Sequence, residues 1–431
     1  MSAVEDLVIT GGAPIRGRLR LPGCKGISHR ALLFGAIADG DSHVRGLAPG
    51  HDVRSTARAL MALGVRVDDI DGTTTISGRG FDGLVEPNAV LDCGNSATTM
   101  RMLAGLLAGR PFLSVLTGDT SLVERPMGRV ATPLRAMGAQ IDGRHDGERA
   151  PLVVRGGALT GANFRLPVAS GQVKTSLILA ALQATGQTEI VEPAPSRDHT
   201  ERMLVASGAS IDRIDDRSVR VKAGTPGPFD LDVPGDPSSA AFFVVAAVIT
   251  PGSELFLEDV LLNPGRIAFV DVLQRMGAHI ELHQHDTRLG EPVGDITVTS
   301  GPLGGTVVDC HEAIIDEVPA LAVAAAFADG VTEFRGAGEM RVKETDRIAT
   351  LEQELSKLGV GVETRPDGMT VRGGAPRPAT FDSHGDHRIA LAAAIAASAI
   401  DGESHIVGWD ATAISYPAFA DDLARLTGSA P

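Results

Sequence analysis

Two Ala-rich helix patterns alternate along this chain until each has appeared six times, and few folds tolerate such a rhythm. The first pattern is long and apolar and runs to a glycine at Gly40, Gly109, Gly186, Gly252, Gly330 and Gly402. The second is shorter and runs to Gly64, Gly138, Gly208, Gly277, Gly359 and, in a truncated last copy, Gly428. Successive second-helix glycines lie 69–82 residues apart. A constant order at a near-constant spacing marks one unit of about 70 residues repeated six times. Glycine takes the left-handed conformation that commonly ends a helix, and β-branched segments such as VRV, AQI and ASI follow as strands. Each unit thus reads strand, helix, strand, helix and one or two more strands, an α/β fold.

A chain of 431 residues exceeds one ordinary core, so six units divide most simply into two domains of three. The last unit has no closing strands behind Gly428, whereas LVIT and RGRLRL precede the first helix. These N-terminal strands are therefore expected to complete the sixth unit. The division expected is 22–235 for units one to three, and 1–21 with 236–431 for units four to six. The crossings fall at the breaks Pro22-Gly23 and Pro234-Gly235. A cleft between two such bodies is a natural place for a ligand.

No stretch approaches the ~20 uncharged residues of a membrane span, and the acidic start MSAVEDLVITGG lacks the order of a secretion signal. Three scattered cysteines make neither a disulfide framework nor a zinc motif. A soluble, cytoplasmic protein is expected. The formal charge of −15 argues against broad nucleic-acid binding but not against a small anion held by local cations.

Such cations recur where they are least expected. A helix start carries partial positive charge and disfavours Lys and Arg. Yet first helices open at GCKGISHR (Lys25, His29, Arg30), GNSATTMR (Asn95 to Arg101), ASGQVK (Ser170, Gln172, Lys174) and GDHR (Asp386, His387, Arg388). Second helices open at VERPM (Arg125), SRDHTER (Arg197) and RVKETDR (Lys343, Glu344, Arg347). A bound anion reverses the penalty, because helix N–H groups with Arg and Lys cradle phosphate or carboxylate. Asp316, Glu344 and Lys25 sit among these cations as candidates for moving a proton, and the residues alone do not rank them. His279, His283 and His285 share one face of a strand without zinc-motif spacing, and read as exposed. Trp409 reads as packing without aromatic company. GxSxG, GxxxxGK[ST] and strand-borne GxGxxG motifs are absent.

Eight of these segments stand in a familiar order: LPGCKGISHRALLFGAIADG, GNSATTMRMLAGLLAG, ERPM, PVASGQVKTSLILAAL, SRDHTERML, IDEVPALAVAAAFADG, RVKETDRI and GDHRIALAAAIAA. Together they resemble the 5-enolpyruvylshikimate-3-phosphate synthase family over essentially the whole chain. The resemblance implies two domains of three βαβαββ units each, the inside-out α/β barrel of the enolpyruvyl transferases. It implies transfer of the enolpyruvyl group of phosphoenolpyruvate to the 5-hydroxyl of shikimate 3-phosphate, without metal or organic cofactor, by a monomer. By motif, phosphoenolpyruvate falls to Lys25, Gly94, Asn95, Arg125, Gln172, Arg347 and Arg388. Shikimate 3-phosphate falls to Lys25, Gly26, Ser28, Arg30, Ser170, Gln172, Arg197, Asp316 and Lys343. Asp316 resembles the base for the attacking hydroxyl, and Lys25 and Glu344 the candidates for protonating the enol carbon.

Three positions depart from the pattern. Gly26 replaces a serine that normally contacts the sugar phosphate, so that contact is expected to weaken or rearrange. Ala97 stands where glycine is common, narrowing the phosphoenolpyruvate pocket, and with RDHT and SGQ it resembles the glyphosate-tolerant branch. Ile414 replaces a lysine found in some members. The sister transferase acting on UDP-N-acetylglucosamine carries a reactive Cys before the equivalent of Arg125; TGDTSLVERPM has none. A paralogue acting on a modified shikimate is the nearer alternative, because of Gly26.

Overall fold

The computed structural model describes residues 6–428. The outermost residues of the domain expected at 1–21 and 236–431 lie outside them. Backbone packing gives two units: Met1–Pro22 with Pro234–Asp286 and Pro292–Pro431, and Gly23–Val233 with Thr287–Glu291. The short piece Thr287–Glu291 is the turn of the hairpin His279–Arg288/Glu291–Thr299, a grouping that the sequence reading did not anticipate.

Both units are α/β, and the element pattern within them is the expected one. In the first unit the helices Pro237–Ile249, Val318–Phe327 and His387–Ser398 pack on one another and are buried almost all round. Their sequences are apolar on every side, as a central helix requires. Sheets form the outer layer, each burying one face on these helices. In the second unit Lys25–Ile37, Ala97–Leu107 and Gly171–Ala181 take the corresponding places. Ala97–Leu107 approaches Gly171–Ala181 so closely that a Cβ on Gly105 would lie 2.0 Å from the carbonyl of Ser176. Only glycine fits there.

Five units build a four-stranded sheet of one order: a lead strand parallel to the strand after the first helix, then two antiparallel strands. The lead strands of units two, three, five and six come directly before their own first helices, as Leu91–Asp92, Asn163–Arg165, Val307–Asp309 and Thr380–Asp382. At the unit boundaries the lead strands are exchanged. Arg16–Arg20 pairs with Glu254–Leu261 of unit four, and Asp230–Asp232 with Asp39–Arg45 of unit one. The expectation that both N-terminal strands complete the sixth unit is therefore corrected. Only Leu7–Gly11 does so, antiparallel to Gly402–Val407, while Arg16–Arg20 supplies the lead strand that unit four lacks.

All six second-helix glycines have positive φ just behind their helices, as expected. The first-helix glycines lie several residues beyond the helix end; Gly40, for instance, belongs to the strand Asp39–Arg45. Trp409 packs, but not alone: its ring centroid is 6.2 Å from that of Phe419, which also meets Phe242, Phe243 and Tyr416. His279, His283 and His285 are exposed on their strand, and His285 Nε2 lies 3.3 Å from Asp295 Oδ1.

Candidate active site

In the first unit the ends of three helices bring the charges together. The helix His387–Ser398 is capped by Asp386, whose Oδ1 accepts the backbone N–H of Arg388 at 2.9 Å. The same buried carboxylate accepts from Arg347, at 2.8 Å from Nε and 3.2 Å from Nη2. Arg347 is the first residue of the helix Arg347–Ser356 and is only 1% exposed. Burial alone lowers its affinity for a proton, but the carboxylates of Asp386, Glu344 and Asp316 outweigh burial and the net shift is upward. Arg347 Nη2 also donates to Glu344 Oε2 at 2.5 Å.

Asp316 stands two residues before the helix Val318–Phe327 and faces three cations. Its Oδ1 accepts from Lys343 Nζ at 3.4 Å and lies 3.6 Å from Arg347 Nη1. Its Oδ2 lies 3.8 Å from Arg388 Nη2, and Arg388 Nη1 donates to the Asp316 carbonyl at 2.8 Å. Asp316, Lys343, Glu344, Arg347 and Arg388 are therefore one cluster, partly open to solvent at Asp316, Glu344 and Lys343. A carboxylate among cations, with a second acid within reach, can take up and return protons while the cations hold anions.

Behind this cluster a wholly buried group went unmarked in the sequence. Arg266 donates to Ser238 at 2.7 Å and lies 3.4 Å from Asp236 and 3.8 Å from Glu317. Asp236 caps Pro237–Ile249, so this arginine ties two helix starts together. The only sequence signal was acid at a helix start, which is indistinguishable from an ordinary cap.

In the second unit Lys25 opens the helix Lys25–Ile37 and reaches Asp52 Oδ2 at 3.2 Å. Arg30, one turn on, is buried and donates to the carbonyl of Gly26 at 2.9 Å and to the hydroxyls of Thr175 and Thr200 at 2.9 and 2.7 Å. Burial, with Arg197 nearby and Glu201 opposing, brings its pKa down to about 10. Gly94, with a φ of +57°, donates its N–H to Asp92 Oδ1 at 2.8 Å and makes the turn into Asn95. Asn95 donates to Asp119 at 2.7 Å and accepts from Arg125 at 3.2 Å. Gln172 accepts from Arg101 at 2.6 Å and donates to Thr98 at 2.9 Å. Ser170 caps the helix Gly171–Ala181 and its N–H donates to Glu192. Ala97 begins the helix Ala97–Leu107 and is 5% exposed, and Arg197 lies half-buried before His199–Ala206.

Two expectations change. Ser28 is fully buried, and its hydroxyl donates to the Cys24 carbonyl while accepting the N–H of Ala48; it ties the chain rather than facing a ligand. Lys174 points inward to Glu192 and Glu201, at 2.7 and 2.8 Å, so internal carboxylates reverse the helix-start penalty there. Asp52 and Asp119 are the partners that sequence reading missed, because each is a solitary charge outside any cluster of its own, whereas Arg101, noted at the start of its helix, is the partner of Gln172.

Comparisons with known proteins give the family. The family model for EPSP synthase (3-phosphoshikimate 1-carboxyvinyltransferase) matches residues 9–423. A 3-phosphoshikimate 1-carboxyvinyltransferase of Synechococcus sp. (strain WH7803) is 50% identical, with 97% of each chain covered. The solved EPSP synthase from Acinetobacter baumannii superposes with a TM-score of 0.86 at 39% identity, covering 97% of each chain. The enolpyruvyl transferase NikO from Streptomyces tendae, 18% identical over 98% of this chain and 97% of its own, shares the fold with a TM-score of 0.77. With the motifs in order, the charged helix starts assembled and the match nearly end to end, the chain belongs to the EPSP synthase (3-phosphoshikimate 1-carboxyvinyltransferase) family.

Proposed function

We propose that this enzyme transfers the carboxyvinyl group of phosphoenolpyruvate to the 5-hydroxyl of shikimate 3-phosphate and releases phosphate. The observation that carries this reading is Asp316, a carboxylate ringed by Lys343, Arg347 and Arg388 and accompanied by Glu344. Asp316 takes the hydroxyl proton as the oxygen adds to C2 of phosphoenolpyruvate, and C3 receives a proton from Lys25 or Glu344. Expulsion of phosphate from the tetrahedral adduct, with loss of a proton from the former C3, leaves the enol ether. Both substrates are anions, so cation clamps and orientation supply much of the rate.

In this reading phosphoenolpyruvate is held by Lys25, Gly94, Asn95, Arg125, Gln172, Arg347 and Arg388. Shikimate 3-phosphate is held by Lys25, Arg30, Ser170, Gln172, Arg197, Asp316 and Lys343, with the backbone N–H of Gly26 in place of a hydroxyl. The terminal nitrogens of Arg30 each carry two hydrogens, so the internal bonds leave donors over. Ser28 acts only through the turn that it ties. Transfer to UDP-N-acetylglucosamine or to a modified shikimate is not favoured: the named relatives at about half identity are 3-phosphoshikimate enzymes, and Cys93 is fully buried. Phosphate release from phosphoenolpyruvate is expected with shikimate 3-phosphate and not with shikimate or UDP-N-acetylglucosamine. Turnover of either of the latter alone overturns the assignment.

Ala97, buried at the start of its helix, supports the reading that the enzyme belongs to the glyphosate-tolerant branch of the family, its methyl crowding the inhibitor more than the substrate. The inhibition constant for glyphosate is expected to exceed the Michaelis constant for phosphoenolpyruvate and to fall in Ala97→Gly. A wild-type value well below that constant contradicts tolerance. The enzyme acts as a cytoplasmic monomer, which sedimentation at a single chain mass of 44.7 kDa tests for its oligomeric state.

A further inference from the structure

His29 is buried completely, on the helix that carries Lys25, and nothing in the proposed reaction uses it. Its Nδ1 lies 2.7 Å from the hydroxyl of Thr56 on the helix His51–Ala62. Thr56 lies 2.7 Å from the hydroxyl of Thr99 on Ala97–Leu107. Thr99 in turn donates its hydroxyl to Ser96 Oγ at 2.8 Å, and Ser96 Oγ also accepts the Thr99 backbone N–H at 3.1 Å as the cap of that helix. Thr56, Thr99 and Ser96 are all at most 1% exposed.

The donors in this chain can run in one direction only. The Thr99 proton is directed to Ser96, so Thr99 Oγ1 must receive the proton of Thr56. Thr56 Oγ1 must then accept from His29, which makes the imidazole a neutral Nδ1–H tautomer. The other ring nitrogen agrees, since Nε2 is buried with no hydrogen-bond partner among the described residues. A lone pair is cheaper to leave there than an N–H. Burial first, then Lys25 and Arg30, holds the imidazole well below its usual pKa, which disfavours the doubly protonated ring.

We infer that His29 is a positioning residue: through Thr56, Thr99 and Ser96 it fixes the helix start that carries Lys25 against the turn that carries Gly94 and Asn95. The inference rests on the function proposed above, in which those residues hold one substrate. Three helices cannot slide against one another without breaking a buried hydrogen bond in this chain, and each such bond is costly to leave unmade.

The test has two arms. Nitrogen-15 NMR of the histidine-labelled full chain, assigned with His29→Asn, is expected to show Nδ1 protonated and Nε2 bare at neutral pH without substrate. An Nε2–H tautomer or a charged ring overturns the inference. In steady-state kinetics, Thr56→Val and His29→Phe are expected to raise the Michaelis constant for phosphoenolpyruvate about five- to tenfold each, with kcat nearly unchanged. The double variant is expected to be no worse than the worse single one, since both break the same chain. His29→Asn, which keeps a donor near the Nδ1 position, is expected to recover most of the loss. An unchanged Michaelis constant in Thr56→Val, or equal damage from Asn and Phe, overturns the positioning role. Should His29→Phe fail to fold, the isosteric Thr56→Val and His29→Asn still decide the matter. The tautomer is read without turnover, so a chain that shows it yet transfers no carboxyvinyl group refutes the proposed function and not the hydrogen-bond chain.

Discussion

At the scale of the residue, some charges stand partly open to solvent while others are buried in service of the fold. The Asp316 carboxylate lies 3.4 Å from Lys343, 3.6 Å from Arg347 and 3.8 Å from Arg388, whereas Arg347 and Asp386 are locked together at 2.8 Å. Asp316→Asn is therefore expected to lower kcat by about a hundredfold or more while leaving the Michaelis constants within a few fold, the mark of a lost proton carrier. Steady-state kinetics on both substrates checks this, and equal losses in binding and turnover would instead mark a holding role. Most of these residues were legible in the sequence, because a cation at a helix start is unusual enough to notice. What was not legible was the partner. Lys174 carries the same sequence signal as Lys25, yet it is spent on Glu192 and Glu201, which lie 18 and 27 residues further on. Ser28 fits the family pattern but is consumed by Cys24 and Ala48. Local charge tells that a compensation exists and not whether a ligand or a carboxylate provides it.

At the scale of the element, caps do double duty. Asp386 caps the start of one helix and holds the arginine that begins another, so its loss leaves a guanidinium buried without its main counter-charge. Asp386→Ala is expected to cost about 3–5 kcal/mol of stability, measured by denaturant unfolding. The carboxyl of Asp386 is the more acidic in the folded chain: burial opposes this, but Arg347 outweighs it, and the net shift is below 3.8. Its contribution is complete above the unfolded carboxyl value and is lost as pH falls through the lower folded one. The stability gap between wild type and Asp386→Ala is accordingly expected to close below about pH 4. A gap unchanged down to that region contradicts the assignment. Helix starts were the least accurate part of the sequence reading. Arg125 and Lys343 precede their helices because short 3₁₀ turns, Leu122–Glu124 and Gly338–Val342, come before Gly128–Ala136 and Arg347–Ser356. Such turns share the composition of a helical first turn, and only the hydrogen bonds separate them.

At the scale of the whole molecule, six units were countable from glycine spacing, but the exchange of Arg16–Arg20 and Asp230–Asp232 was not. Both are short lead strands before a first helix, and nothing in five or three residues says which sheet they join. Closure decides it: each unit of three needs a lead strand for its own first sheet, and the exchange supplies one to each. The segment 23–233 contains every strand of its three sheets. Expressed alone it is expected to unfold cooperatively with native-like circular dichroism, whereas 23–228, which lacks Asp230–Asp232, is expected not to. Equal folding of the two fragments contradicts the closing role of that strand. The claim on which all of this converges is carboxyvinyl transfer, and the stoichiometry of products tests it most directly. With phosphoenolpyruvate and shikimate 3-phosphate, mass spectrometry and a phosphate assay on the same reaction are predicted to give enol ether and phosphate in equal amounts. Phosphate without the enol ether, or neither product, contradicts the account.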